Sequence, residues 1–458
     1  MIVAADVEPA DLLPAISRLW ELSAAKLTNL AKRWDAAAGA PVFTVKGRYT
    51  SRGWTDWTEG FLYGSALLQY DATGDGVFLD VGRGRTLQRM PVHVTHFGVH
   101  DHGFNVVSTY GNLLRLIREG KASEADRAVC ELALRCSGGV QAKRWTRIAQ
   151  DQKLPPMAGL ATDDMPIEPG FIHSFNGPHS LFVDTIRSLR SLALAYSLGQ
   201  PLLDEQDVRV SLADRLCAHA AATAVWSVYY GEGRDAYDVR GRTAHESVFN
   251  PVNGIYRCPS TQQGYSPFST WTRGLAWAMC GFAEELEWLE SIPAAERTLA
   301  MDAVAPLMLR AAQATCHFYI VNTPADGIPY WDTGAPGLPE MGDYLQRAAE
   351  PYNRHEPVDS SAATIAAQGL LRLGNHLLKT GNEANGRRYL NAGLTVARTL
   401  FGPPYLSDDR DHQGLILHSV YHRPNGWDYI PPDQSVPCGE SSMWGDYHLL
   451  ELANLIKR

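Results

Sequence analysis

Residues 271–289 read Trp-Thr-Arg-Gly-Leu-Ala-Trp-Ala-Met-Cys-Gly-Phe-Ala-Glu-Glu-Leu-Glu-Trp-Leu. The stretch has a polar, aromatic head and a helical tail. From Trp277 to Leu289 apolar residues return at i, i+3, i+4 and i+7, the period of a helix that buries a face. The same periodicity marks Leu113–Ile117, Leu189–Leu198, Ala303–Tyr319, Ala362–Leu378 and Tyr447–Ile456. Long alternating segments are nearly absent, and Gly/Pro-rich loops such as Asn322–Gly327 and Phe401–Pro404 separate the helices. The reading predicts an all-α chain of about twelve helical segments. Helix pairs recur about every 50–80 residues, each with a loop rich in His, Trp, Asp and Tyr. Twelve helices placed alternately inside and outside close into a double ring, whose loops at one end line a concave site. Small residues such as Ala and Ser suit the inner rows, which are buried on two sides. Residues 1–458 are expected to form one domain, with a Gly-, Pro-, Met- and Asp-rich excursion over 138–175 that can fold across the site.

Composition narrows the partner. The 458 residues carry a net charge of −9, which argues against nucleic acid and anionic membrane surfaces. It leaves room for an acidic sugar, because a local Arg and His cluster can bind a carboxylate inside an acidic protein. Twelve Trp and nineteen Tyr suit aromatic platforms for the flat C–H faces of sugars, although a large core uses the same residues. Seven Cys, an odd number without a CxxC pair, predict free thiols and a reducing compartment. Residues 1–30 lack the pattern of a secretory signal, so the expected location is the cytoplasm, or the periplasm if a leader has been removed.

Six short motifs carry the chemistry. Trp57-Thr58-Glu59-Gly60-Phe61 reads equally well as a packing corner. In His100-Asp101-His102-Gly103-Phe104, the plain reading of Asp101 is a helix N-cap that accepts backbone N–H bonds. In Leu181–Leu189, the residues Asp184, Arg187, Ser188 and, beyond it, Ser191 fall on one helix face. An Asp within an apolar helix is costly unless paired or functional, and an Asp184–Arg187 surface pair is the alternative. Thr261–Ser266 and Ser269–Trp277 gather Gln, Tyr, two Trp and Arg, a mix suited to a sugar bearing a carboxylate. Asp359 or Ser360 in Arg354–Ala363 serves as an N-cap. Met443–Leu452 enters the last helix, with Asp446 capping it or approaching the site. The histidines lack metal-ligand spacing and no phosphate loop appears, so neither metal nor cofactor is expected.

In this order, over about 400 residues from Trp57 to Glu451, the motifs resemble the unsaturated glucuronyl hydrolases, glycoside hydrolase family 88, with family 105 as its relative. The resemblance implies a six-hairpin (α/α)6 barrel. It also implies removal of a terminal 4,5-unsaturated uronic acid from lyase-generated acidic oligosaccharides. In such enzymes a carboxylic acid protonates C4, water adds at C5, and the resulting hemiketal opens to release the neighbouring sugar. By position, Asp184 matches the general acid/base and Asp101 its partner carboxylate. His245, Gln263 and Arg273 match polar substrate contacts, and Trp57, Trp271 and Trp277 the aromatic walls. Ser360 and Ser361 fall where the uronate carboxylate binds, and His100 stands beside Asp101. The chain departs from the pattern at Ser188 (usually Asn), near Pro267-Phe268 (usually acidic) and at Leu275 (usually Gln). Its 139–172 region is longer than the pattern. Arg187 is a further departure: paired with Asp184 it would lower that carboxyl's pKa, so it is expected to point aside or to meet a second anion such as sulfate. The expected partner is an acidic unsaturated oligosaccharide bound by a monomer or homodimer. The alternatives are another enzyme on the same toroid (saturated-uronide or rhamnogalacturonyl hydrolase, lyase or epimerase) and a non-catalytic oligosaccharide-binding protein.

Overall fold

The computed structural model describes residues 1–52, 56–155 and 166–458. Among these, twelve principal helices alternate between an outer and an inner ring. They are α1 (Leu13–Arg33), α2 (Glu59–Thr73), α3 (Gly76–Arg89), α4 (His102–Val106, continued through Val107–Gly111 and Asn112–Arg118) and α5 (Arg127–Lys143). Next come α6 (Thr185–Ser188, resumed at Arg190–Ser197), α7 (Leu212–Trp226), α8 (Thr272–Ser291) and α9 (Leu299–Asn322). The series closes with α10 (Ser360–Lys379), α11 (Glu383–Leu400) and α12 (Met443–Lys457). The even-numbered helices form the inner ring: α2 packs on α4, α4 on α6, α6 on α8, α8 on α10, α10 on α12, and α12 returns to α2. This is the (α/α)6 barrel.

Inner helices have neighbours on both sides, so they bury residues all round. In α10 Arg372 and Leu378 are half-buried and Asn375 and Lys379 exposed, while Ser360 to Leu371 are all buried. Outer helices such as α1 and α11 keep a polar face instead. Where inner helices touch most closely the residue is glycine, smaller than the Ala and Ser expected from the sequence. A Cβ on Gly103 would stand 2.3 Å from the Ser188 carbonyl, and one on Gly60 2.5 Å from the Asn105 backbone. α6 is also not the single face read from the sequence. It breaks at Leu189, so Asp184 precedes the helix and Ser191 belongs to its second segment.

The excursion expected over 138–175 starts later, because α5 continues to Lys143. Strand Trp145–Arg147 then pairs antiparallel with Gly170–Ile172. Part of that excursion, 156–165, lies outside the described residues. A second small sheet joins Ser180–Phe182, Glu246–Phe249 and Tyr256–Ser260. It delivers the chain to the start of α6, where Val183 N–H donates to the His245 carbonyl at 2.9 Å. No helix among the described residues is long and apolar enough to cross a membrane.

Candidate active site

Hairpin alternation makes the six inner helices parallel, so all six N-termini open at the same end of the ring. Each is preceded by one of the sequence motifs: Trp57 before α2, Asp101 before α4, Asp184 before α6, Trp271 before α8, Asp359 before α10 and Ser442 before α12. A helix N-terminus carries roughly half a positive charge. This end of the ring is therefore built to receive an anion and to hold ionised carboxylates. A cavity of about 210 Å³ opens here, lined by Trp57, His100, Asp101, Asp184, Gln263, Trp271, Arg273 and Trp277, as well as by residues the sequence reading did not single out.

Asp101 and Asp184 occupy the N-cap positions of α4 and α6, yet neither side chain accepts a cap hydrogen bond. Both turn into the cavity, where His100 lies between them. Its Nε2 is 3.2 Å from Asp184 Oδ1 and 3.7 Å from Asp101 Oδ1. All three side chains are buried. Burial, reinforced by the Asp184 charge, holds the Asp101 carboxyl above its ordinary value against the pull of His100. Burial also pushes Asp184 upward, but the His100 hydrogen bond, the His100 charge and the charges of His245 and Arg273 bring it below. Burial opposes charge on His100, but the two aspartates outweigh it and lift its pKa. The raised carboxyl is thus Asp101, where the sequence pattern pointed to Asp184; the shorter distance from Asp184 to His100 is the reason.

His100 is held by its loop and its neighbours. Ser188 Oγ donates to the His100 carbonyl at 2.6 Å and accepts from Gly103 N–H at 2.8 Å, while Gln141 donates to both the carbonyl and Ser188 Oγ. Ser188, expected at the substrate, therefore secures the loop behind it. On the cavity side the His100 ring stacks on Phe175, with centroids 5.9 Å apart. Phe175 comes from the returning end of the excursion and lines the cavity.

Arg187 does not reach the cavity. It is fully buried and forms ion pairs with Glu284 at 2.7 Å and Glu451 at 2.9 Å, so it neither pairs with Asp184 nor waits for a second anion. His245 stands behind the cavity wall, between Phe182 and Trp271 at ring distances of 4.5 and 4.7 Å. Its Nδ1 accepts from the backbone N–H groups of Gln262 and Gln263, and burial lowers its pKa to about 4, so the ring is neutral near pH 7.

Arg273 ties the wall together. It donates to Asp359 at 2.6 Å, to Gln263 Oε1 at 3.1 Å and to the carbonyls of Val420 and Tyr421. Its guanidinium lies over the rings of Trp271 and Trp444. Asp359 is the N-cap of α10, through Ser361 and Ala362 N–H. Ser361 Oγ donates to Asp359 at 2.5 Å and accepts from Trp444 Nε1 at 2.9 Å. Ser360 faces Ser419 at 3.3 Å. Both serines are fully buried, and neither lines the cavity as the sequence pattern suggested; they lie behind it, where Ser361 joins Asp359 and Trp444, the neighbours of the cavity-lining Arg273. Trp57 stacks on Trp444 at 5.2 Å, and Trp277 packs on Phe104 and His448. Asp446 binds the N–H groups of Leu415 and Ile416 and the hydroxyls of Tyr49 and Ser441, so it fastens a loop. Ser442, not Asp446, caps α12.

The sequence reading missed Tyr421, His422, Asn425 and Trp427, all of which line the cavity. They lie in a loop without periodicity; the signal available was a His, Tyr and Trp cluster ahead of the last motif. Among the described residues, no group of three or more His, Cys, Asp or Glu side chains could hold a metal ion.

The comparisons with known proteins point one way. No protein-family model matches the chain. An unsaturated glucuronyl hydrolase of Bacillus sp. (strain GL1) is 27% identical over 412 residues, covering 90% of this chain and 89% of the relative. This chain is a homologue of the unsaturated glucuronyl hydrolases. A second such enzyme, from Formosa agariphila, is 23% identical over 407 residues, or 86% of this chain and 78% of its own. The crystal structure of the Bacillus sp. GL1 unsaturated glucuronyl hydrolase superimposes with a TM-score of 0.68 at 24% identity, over 97% of this chain and 96% of that one.

Proposed function

We propose that the cavity removes a terminal 4,5-unsaturated uronic acid from acidic oligosaccharides by hydrating the C4=C5 bond. The observation that carries this reading is the pair of uncapped aspartates, 101 and 184, joined through His100 among inward-facing helix N-termini. Two carboxyl groups with opposed pKa shifts in one buried site are the mark of a proton donor and acceptor set.

In the free site Asp184 gives up its proton more readily than Asp101, and the charges of both carboxyl groups favour a proton on His100. The uronate carboxylate of the substrate brings a further negative charge, which favours the protonated form of Asp184. His100 Nε2, 3.2 Å away, supplies that proton. Asp184 then protonates C4, and the cationic character that develops at C5 is quenched by water. The proton that water loses on adding to C5 goes to Asp184 and on to His100 Nε2, so the starting state of the enzyme is regenerated. The C5 hemiketal opens, and the hemiacetal left at C1 releases the neighbouring sugar. Trp57, Trp271 and Trp277 supply the apolar faces for the ring, and Arg273 with the helix N-termini supplies the positive field for its carboxylate.

Glycosaminoglycan fragments are the first substrates to test. The Bacillus enzyme is described as responsible for the degradation of glycosaminoglycan, and streptococcal relatives are named unsaturated chondroitin disaccharide hydrolases. The test is a panel of lyase-generated disaccharides, read as loss of the ultraviolet absorbance of the conjugated uronate. Decay with at least one of them is expected; no decay with any chondroitin, hyaluronan, heparin, gellan, ulvan or pectin product rejects the reading.

A further inference from the structure

The loop that supplies Tyr421, His422, Asn425 and Trp427 to the cavity is held from both sides at two successive peptides, Val420–Tyr421 and Tyr421–His422. Arg273, on α8, donates Nη1 to the Val420 carbonyl at 2.5 Å and Nη2 to the Tyr421 carbonyl at 2.6 Å. From the other edge the Asp428 carboxylate accepts from the backbone N–H groups of Tyr421 and His422, the latter at 3.1 Å. Asp428 thus closes the loop onto its own start. His422 is fixed in turn, since its Nδ1 accepts from Asn425 N–H at 3.4 Å and its carbonyl accepts from Trp427 N–H at 3.3 Å. Trp427 packs against the rings of Tyr421 and His422 at 5.2 and 4.8 Å. Asp428 itself does not line the cavity.

We propose that Asp428 is a positioning residue for the saccharide, acting through the backbone N–H groups of Tyr421 and His422 to set the wall of Tyr421, His422 and Trp427 against which the sugar packs. This rests on the cavity being the saccharide site described above. Two features separate the role from ordinary loop anchoring. The first is that a buried carboxylate in this place is costly. Burial raises its pKa to about 6, and the charged groups that face it are Arg273 on α8 and Asp359 ahead of α10. His422 within the loop stays neutral, with its pKa lowered to about 4 chiefly by burial, and Arg52 lies beyond Trp427. A folded-state pKa above that of the unfolded chain means that the ionised form weakens the fold above about pH 6, and that this cost fades as the pH falls toward the ordinary Asp value. The second is that only the ionised carboxylate accepts from both N–H groups at once. A protonated carboxyl, or an amide in its place, turns one acceptor into a donor and releases one of the two backbone groups.

The experiment compares wild type with Asp428→Asn and Asp428→Glu. Asp428→Asn is expected to raise KM for the unsaturated disaccharide about tenfold with kcat changed less, while leaving the melting temperature at pH 7 unchanged or higher. Asp428→Glu, which restores the charge, is expected to recover part of the KM. A melting temperature that falls with an unchanged KM identifies Asp428 as a plain structural anchor and overturns the proposal. A readout independent of turnover is the tryptophan fluorescence of the full chain without ligand. Wild type is expected to show a transition near pH 6, as Trp427 shifts with its loop, and Asp428→Asn to lack it; identical titrations overturn the proposal. Absence of activity in wild type on every substrate rejects the hydrolase reading, and the fluorescence comparison still decides the role of Asp428.

Discussion

The two ends of the inner ring both bury charge, and they use it in opposite ways. At the open end six helix N-termini meet two aspartates that decline to cap them, around a cavity of about 210 Å³. At the other end lie the C-termini, whose partial negative charge calls for cations. Arg115, Arg118, Arg190, Arg372 and Arg458 line a larger cavity there, of about 500 Å³. Its cations are largely spent on partners: Arg190 pairs with Glu284 and Glu451, Arg115 and Arg458 with Asp71 and Glu119, and Arg372 with Glu284 and Glu287. The size of a cavity therefore does not identify the reactive one. What distinguishes the open end is that its carboxyl groups share a histidine and differ in proton affinity, whereas the closed end is neutralised pair by pair.

That contrast can be broken by moving the loss of activity to the wrong end. Asp184→Asn is expected to lower the rate by about 10²–10⁴-fold while the protein stays folded, measured as disaccharide turnover alongside a thermal melt. Near-normal turnover would remove Asp184 from proton transfer. At the closed end, Arg187→Met leaves Glu284 and Glu451 short of their buried partner and is expected to cost about 3–5 kcal/mol of stability, read by denaturant unfolding. Its turnover per folded molecule should stay close to wild type; a loss as large as that of Asp184→Asn would mean that Arg187 belongs to the site after all.

A finer test concerns the proton held at the open end. Activity requires the proton that His100 passes to Asp184. The rate should fall in alkali above pH 6.5 as His100 loses that proton. Asp101→Asn removes a negative charge that raises the His100 pKa, so the alkaline limb of kcat/KM should move to lower pH. An unmoved limb separates Asp101 from the proton set. The smallest effect is expected for Ser361→Ala, which breaks the link from Trp444 to Asp359 and should cost about 1 kcal/mol with a modest rise in KM.

The double ring was legible because helices such as α8, α9, α10 and α12 keep a 3.6-residue period over several turns, and because the inner helices begin beside the polar motifs. The aspartates were legible as a pair only through the family resemblance, and their local geometry was not legible. Nothing in the spacing of 101 and 184 shows that both forgo their caps or that His100 stands nearer one than the other. Arg187 points aside, one of its two expected outcomes, and Ser188 misled because motif position does not reveal that its hydroxyl is used by the His100 carbonyl and Gly103 N–H. Ser360 and Ser361 misled because motif position does not reveal that Trp444, Asp359 and Ser419 already use their hydroxyls. The wall of Tyr421, His422 and Trp427 was invisible because its geometry comes from Arg273 and Asp428, which fix a loop without periodicity.

The central claim is that water adds to C5 of the unsaturated ring and a proton to C4. The direct measurement is mass spectrometry of early products formed in heavy-oxygen water and, separately, in deuterium oxide. Heavy oxygen on the C5 ketone with deuterium at C4 is the predicted result. Heavy oxygen at C1, with no deuterium at C4, is displacement at the anomeric carbon and would contradict the account.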